Sequence, residues 1–177
     1  MSKKKKAGKK AGKRENRVLS EIARSLSSQY ASIYYVDLRD DSYVEISSSD
    51  RYRALGIASS GDDFFAEARR NNERIIYPDD LPLMEVVSNH DALAEAVSEG
   101  KLYRITYRLL MGGEAVYTQL SAMMASDGAH AIIGVADVDG QMREELELLN
   151  AAERSNTYSH VAQSLARRYA TIYYVDA

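Results

Sequence analysis

Cysteine is absent from the 177-residue sequence. That absence removes disulfides, thiolate metal sites, cysteine nucleophiles and thiol-linked cofactors together. Tryptophan is missing as well, and proline and phenylalanine occur only twice each. No apolar run approaches the roughly 20 residues of a bilayer-spanning helix. The N-terminal lysines have no apolar stretch behind them, so they do not make a secretory signal. Ser2 excludes N-myristoylation. With no signal peptide and no staples, the expected location is the cytoplasm.

Lysine is scarce in most of the chain: after Lys13 only Lys101 remains. Residues 1–17 hold nine basic side chains and one acid, Glu15, a local charge of +8; against a whole-chain charge of −3, the remainder carries −11. Tail and body therefore follow different compositional rules. Residues 1–15 are Lys, Gly and Ala without hydrophobic pattern and are expected to be a disordered basic tail. No aromatic or apolar stripe accompanies them, so the tail reads as a solvated arm, with membrane contact through its lysines as the functional alternative and no specific nucleic acid indicated.

What is present has the pattern of one α+β domain with appendages. Residues 16–31 show helical spacing (Leu19, Ile22, Leu26, Tyr30). Strands are predicted over 32–38 and 43–46, joined by the polar turn Arg39-Asp40-Asp41-Ser42. Arg51 to Leu55, Asp62 to Asn72 and Pro82 to Val97 are predicted helices, with Asp79 or Asp80 as a cap and Gly100 as a stop. Three strands follow: Tyr103 to Leu109, Val116 to Met124 after the Gly112-Gly113 turn, and Ala131 to Val138 after Ser126-Asp127-Gly128. Residues 141–170 return to helical spacing, with stripes that do not join into one heptad register.

The chain matches itself at an offset of 139: residues 20–37 align without gaps with 159–176, and eleven of the eighteen positions are identical. Each copy ends in Ile-Tyr-Tyr-Val-Asp (33–37 and 172–176). The repeat predicts a tandem array in which the exit helix of one unit leads into the next, so that 171–177 would begin the first strand of a truncated second repeat and the chain would be a piece of a longer protein. One strand cannot bury a second core, which leaves it to fray or to pair with a sheet edge.

Three segments in this order resemble the PAS family, and more closely the tandem PAS modules of bacterial signalling proteins: Ile75-Ile76-Tyr77-Pro78-Asp79-Asp80, with Tyr77 where the family has histidine; Tyr107-Arg108-Leu109 followed by Gly112-Gly113-Glu114; and Ile132-Ile133-Gly134-Val135 with Asp137 or Asp139 at the sheet–helix junction. The resemblance covers about residues 20–150. It implies a five-stranded antiparallel sheet with short helices on one face across 32–140, a small cavity between them, and flanking amphipathic connector helices at 16–31 and 141–170. It further implies a sensory module that relays the state of a bound small molecule or partner to an output domain in the same chain, of the cyclic di-GMP cyclase, phosphodiesterase or histidine kinase type, with a homodimer formed through the flanking helices. A ligand-free dimerisation or spacer module of the same fold is the alternative. No catalytic motif of those outputs is present, so the chain reads as no enzyme in itself, with any catalytic domain beyond residue 177.

Within that reading Tyr35, Phe65, Val87, Tyr103, Ile105, Tyr107, Leu120 and Ile133 are candidate cavity residues, and ordinary packing of the many tyrosines is the competing account. No catalytic or metal-binding residue is assigned and no cofactor is indicated. His90 falls on the helix where haem-binding members of the family carry an axial ligand, but a lone helical histidine reads first as a surface residue. His130 adjoins a turn, and His160 lacks the acidic neighbour of a phosphoacceptor histidine. LOV-type flavin photochemistry requires a cysteine and is excluded. The acidic pairs Asp40-Asp41, Asp62-Asp63 and Asp79-Asp80 suit turns and caps as well as Mg²⁺ or Ca²⁺.

Overall fold

Alternation of apolar and polar side chains writes the sheet. A computed structural model describes residues 29–173; the basic tail, most of the predicted N-terminal helix and positions 174–177 of the predicted repeat strand lie outside the described residues. The chain divides into two units, Met1–Val138 and Asp139–Ala177.

In the first unit β1 (Ser32–Asp37), β2 (Tyr43–Ser48), β3 (Ser60–Gly61), β4 (Leu102–Met111), β5 (Glu114–Met124) and β6 (His130–Asp137) form one antiparallel sheet in the order β3-β2-β1-β6-β5-β4. Among the described residues the sheet thus has six strands rather than the expected five. The extra one, β3, is a two-residue edge strand, too short for any alternation to be read from sequence. Gly61 makes it possible, because the Tyr43 ring lies 2.8 Å from where a Cβ would stand. The β4–β5 hairpin closes through Gly112 and Gly113, both at positive φ (64° and 89°), as a two-residue turn matched to strand twist requires.

One face of the sheet is covered by α1 (Asp50–Arg53), α2 (Phe64–Ile75), α3 (His90–Ala96) and a 3₁₀ segment, Pro78–Met84. Asp63 caps α2 by accepting from the Ala66 amide at 2.8 Å. The single helix predicted from Pro82 to Val97 is two pieces. Pro82 sits inside the 3₁₀ segment, and Asn89 starts a new helix by accepting from the Ala92 amide at 3.0 Å. Neither Asp79 nor Asp80 caps a helix with its side chain. Leu93 and Val97 join Val36, Leu109 and Ile133 in a core that is 0–1% exposed, each contributing about 1.5–3 kcal/mol. Residues 29–31, expected at the end of a helix, are not helical: the Ala31 amide donates to the Val135 carbonyl and its own carbonyl accepts from Ser49.

The covering layer is fastened to β4 at Tyr77–Asp80. The Tyr77 amide donates to the Arg108 carbonyl at 2.9 Å, and the Arg108 amide donates to Asp80 Oδ2 at 2.8 Å. The guanidinium of Arg108 then grips both carboxylate oxygens of Asp80, at 2.9 and 2.7 Å, while lying 3.9 Å over the Tyr77 ring. At the end of the sheet Asp137 closes β6 and pairs with Arg51 of α1 at 2.9 Å. Asp137, one of the two aspartates left open by the sequence, ties the last strand to the body in this way.

Among the described residues the second unit is one helix, α4 (Asp139–Tyr173), whose first residue accepts from Arg143 at 2.6 Å. It continues through 171–173, where strand is predicted. Extending a helix adds one hydrogen bond per residue fixed, whereas a strand needs a partner.

Arg108→Ala removes both halves of the fork and the ring contact and leaves the Asp80 carboxylate, 13% exposed, without its partner. Urea unfolding is expected to show a loss of about 1.5–3 kcal/mol for Arg108→Ala or Asp80→Asn, and a double variant clearly short of the sum. Additive losses would mean that the fork does not hold the layer.

Candidate functional site

Between the sheet and its covering layer lies a cavity of about 70 Å³. Its floor comes from Tyr34 of β1, Tyr43 of β2, Tyr107 and Leu109 of β4, Leu120 of β5, and Ile133 and Val135 of β6; its roof comes from Tyr52, Phe64, Ala68, Asn71, Ile75, Met84 and Val87. The floor residues are those that strand alternation turns toward the helices. Aromatic rings crowd one end: Phe64 meets Tyr34 at 6.0 Å and Tyr43 at 5.5 Å, centroid to centroid, and Tyr34 meets Tyr52 at 6.5 Å.

Burial keeps these phenols protonated. It pushes the Tyr34 hydroxyl up to about 12, against smaller opposing effects from Tyr52 and Ser32. It raises Tyr52 and Tyr107 as well, with the other phenols adding to the effect. Their hydroxyls act as neutral donors and acceptors rather than as phenolate bases or nucleophiles.

Of the sequence-predicted cavity residues, Val87, Tyr107, Leu120 and Ile133 meet at this cavity. Tyr103 and Ile105 share the inner face of β4 with Tyr107 and pack against the core, but do not reach the lining. Phe65 is buried against Phe64 and His90, just outside it. Tyr35 is on the other face of the sheet. In Tyr34-Tyr35-Val36-Asp37 the polar Asp37 shares the parity of Tyr35 and the apolar Val36 that of Tyr34, so the pleat turns Tyr34 inward. That signal was available in the sequence. The contributions of Tyr43, Tyr52 and Phe64 were not, because they depend on how the helices dock.

On the outer face Tyr35 stacks on His130 with centroids 4.4 Å apart and donates to Asp127 Oδ2 at 3.0 Å. His130 Nδ1 lies 2.7 Å from the same oxygen and Nε2 3.3 Å from Asp37 Oδ2; the Arg39 guanidinium donates to both oxygens of Asp37. The Ala129 amide above all, with Tyr35 and His130, draws the Asp127 carboxyl down to about 2. An apolar row crosses this face in register, Val44–Tyr35–Ile132–Met123–Leu102, one residue from each of five strands. Val44, Met123 and Leu102 are 43–49% exposed.

His90 is the first residue of α3 and fastens the covering layer at its second point. Its Nε2–H donates to the Leu38 carbonyl at 2.8 Å, Nδ1 lies 2.9 Å from Asp91, and Asp41 stands 3.7 Å from Nε2. The Phe65 ring meets it edge-on at 5.4 Å. The Leu38 carbonyl first, then Asp91, raises the imidazole above its usual value. Among the described residues no group of three or more His, Cys, Asp or Glu is placed to hold a metal ion, and no helix is long and apolar enough to cross a membrane. The acidic pairs serve the fold: Asp40 accepts from the Ser42 amide, Asp63 caps α2 and Asp80 binds Arg108.

No family model and no curated protein matches the chain. Among solved structures it is similar to an RNA-binding Light-Oxygen-Voltage receptor, at 15% identity and a TM-score of 0.44, over 72% of this chain and 33% of that one.

A raised histidine stabilises the fold fully below its unfolded-state value of about 6.5, and the contribution fades as pH rises through the native value. The stability gap between the wild type and His90→Gln should therefore be widest at acidic pH and narrow above neutrality, with the His90 NMR titration midpoint above about 6.5. A gap independent of pH, or a midpoint below that value, would contradict the assigned contacts.

Proposed function

We propose that the chain is a PAS-type sensory module that holds a small molecule between sheet and helices and passes its state to the flanking segments. The observation that carries this reading is the cavity itself: it is bounded by five strands on one side and by short helical elements on the other, and that cover is tied down by separate polar contacts, among them Asp80–Arg108, His90–Leu38 and Arg51–Asp137. The Tyr77–Asp80 segment docked on β4, and Asp137 at the end of the last long strand, are the places where the resemblance expects such a module to be organised. A ligand preferring one packing of the cover would shift the equilibrium by its differential affinity and re-aim α4. In this reading the module works in the cytoplasm as a homodimer joined through its flanking helices, serves an output domain in a longer chain, and is not itself an enzyme.

The alternative, a ligand-free dimerisation or spacer module, draws on the exposed row Val44–Tyr35–Ile132–Met123–Leu102, since contiguous apolar surface of this kind marks contact sites.

Filling the cavity separates the two. Leu120→Phe inserts a ring, and Val87→Ile adds a single methylene in case the larger change impairs folding. If the cavity governs the relay, amide exchange over residues 139–150 of the full chain should change by about threefold or more in a filled variant that remains folded. Exchange altered only in the cavity walls would defeat the relay and favour the spacer reading.

A further inference from the structure

If the cavity is the ligand chamber proposed above, its walls restrict what it admits. Size is the first restriction. An apolar cavity of about 150 Å³ accommodates the six carbons of benzene. The present cavity, at about 70 Å³, has room for about half as many heavy atoms. Cofactor and drug-sized ligands occupy roughly 300–1,000 Å³.

Charge is the second restriction. Among the described residues no Lys, Arg or His lines the cavity, so an anion finds no counter-charge there. Glu67 is the only carboxylate in the lining among the described residues, and both its oxygens are taken: Arg70 holds one and the Asn71 amide donates to the other at 2.9 Å. A cation would have to displace that pair. The phenols remain neutral, as argued above.

The third restriction is the supply of free hydrogen-bonding groups. The Asn71 amide donates to Glu67 and its oxygen accepts from Arg74, the Asn72 amide donates to Ser88, and Tyr43 donates to the Ala58 carbonyl. The Tyr34 hydroxyl is set among those of Tyr52 and Ser32, and Ser32 itself donates to Glu45 at 2.6 Å. Tyr107 differs. It is 4% exposed, its ring lines the cavity, and its hydroxyl makes no hydrogen bond to a described residue. A hydroxyl in the cavity wall without a protein partner can pair with a guest, a bond with a net value of about 0.5–1.5 kcal/mol.

We infer that the cavity takes an uncharged molecule of about three to four heavy atoms, apolar except for one hydroxyl or carbonyl group that pairs with the Tyr107 hydroxyl. Short-chain alcohols, aldehydes and ketones form this class. The aliphatic part would lie against Leu120, Ile133 and Val87.

The test is NMR titration of the full chain, with labelled Ile and Leu methyls and Tyr rings, using 2-propanol as the probe. Propionate and isopropylammonium serve as charged probes of similar size, and xenon as an apolar probe without a hydrogen bond. The expected result is saturable shifts at Ile133, Leu120 and Tyr107 with 2-propanol and none with either ion. Tyr107→Phe should weaken 2-propanol about three- to tenfold and leave xenon binding unchanged. Shifts that rise without saturation, equal binding of an ion, or an unchanged 2-propanol affinity in Tyr107→Phe would overturn the assignment. Saturable 2-propanol binding with no effect on residues 139–150 would sustain the ligand class while ending the relay. A relay triggered by cavity filling, with no selectivity for 2-propanol, would do the reverse.

Discussion

The alternation of β1 is the constraint from which the remaining geometry follows. This strand lies between β2 and β6, and its even-numbered side chains, Ser32, Tyr34 and Val36, are buried under the helices. Once Tyr34 points inward, strand pairing aligns Ile133 and Ala122 beside it and Val36 with Tyr43 and Ala131. Phe64 and Tyr52 then find an aromatic surface to pack on. The same pleat sends Tyr35 out to His130 and Asp127. A slip of one residue would exchange the two faces entirely, so the register is strongly specified by burial.

The covering layer obeys a different rule. Its helices are short, and isolated segments of four to twelve residues do not hold helical structure in water without tertiary packing. They are placed by apolar contacts with the sheet and by a few polar ties, of which the Asp80–Arg108 fork is the most complete. A layer made this way can close over a chamber without filling it. The small cavity between Tyr107 and Val87 is the geometric consequence.

The sequence made the strands legible because they alternate. Tyr103 to Leu109 reads as a half-buried strand at sight, and Gly112-Gly113 marks its turn. The cover was less legible. The break before His90 is a capping event, visible only once residues 85–88 are seen to form turns and Asn89 to start a new helix. Among the candidate cavity residues, Val87, Tyr107, Leu120 and Ile133 were reachable from parity and order. Tyr52 and Phe64 were not, since docking angles leave no periodic trace. Ile33-Tyr34 and Ile172-Tyr173 are the same dipeptide, yet the first is strand and the second helix. The first has β2 and β6 to pair with, so tertiary partners rather than propensity decide its conformation.

The central claim is that β1 presents Tyr34, and not Tyr35, to the chamber. Urea unfolding of Tyr34→Ala and Tyr35→Ala measures this most directly. The account predicts a loss of about 3–5 kcal/mol for the first, as for any large aromatic removed from a core, and about 1 kcal/mol or less for the second. Equal losses, or the reverse order, would place the wall of the cavity on the wrong side of the sheet.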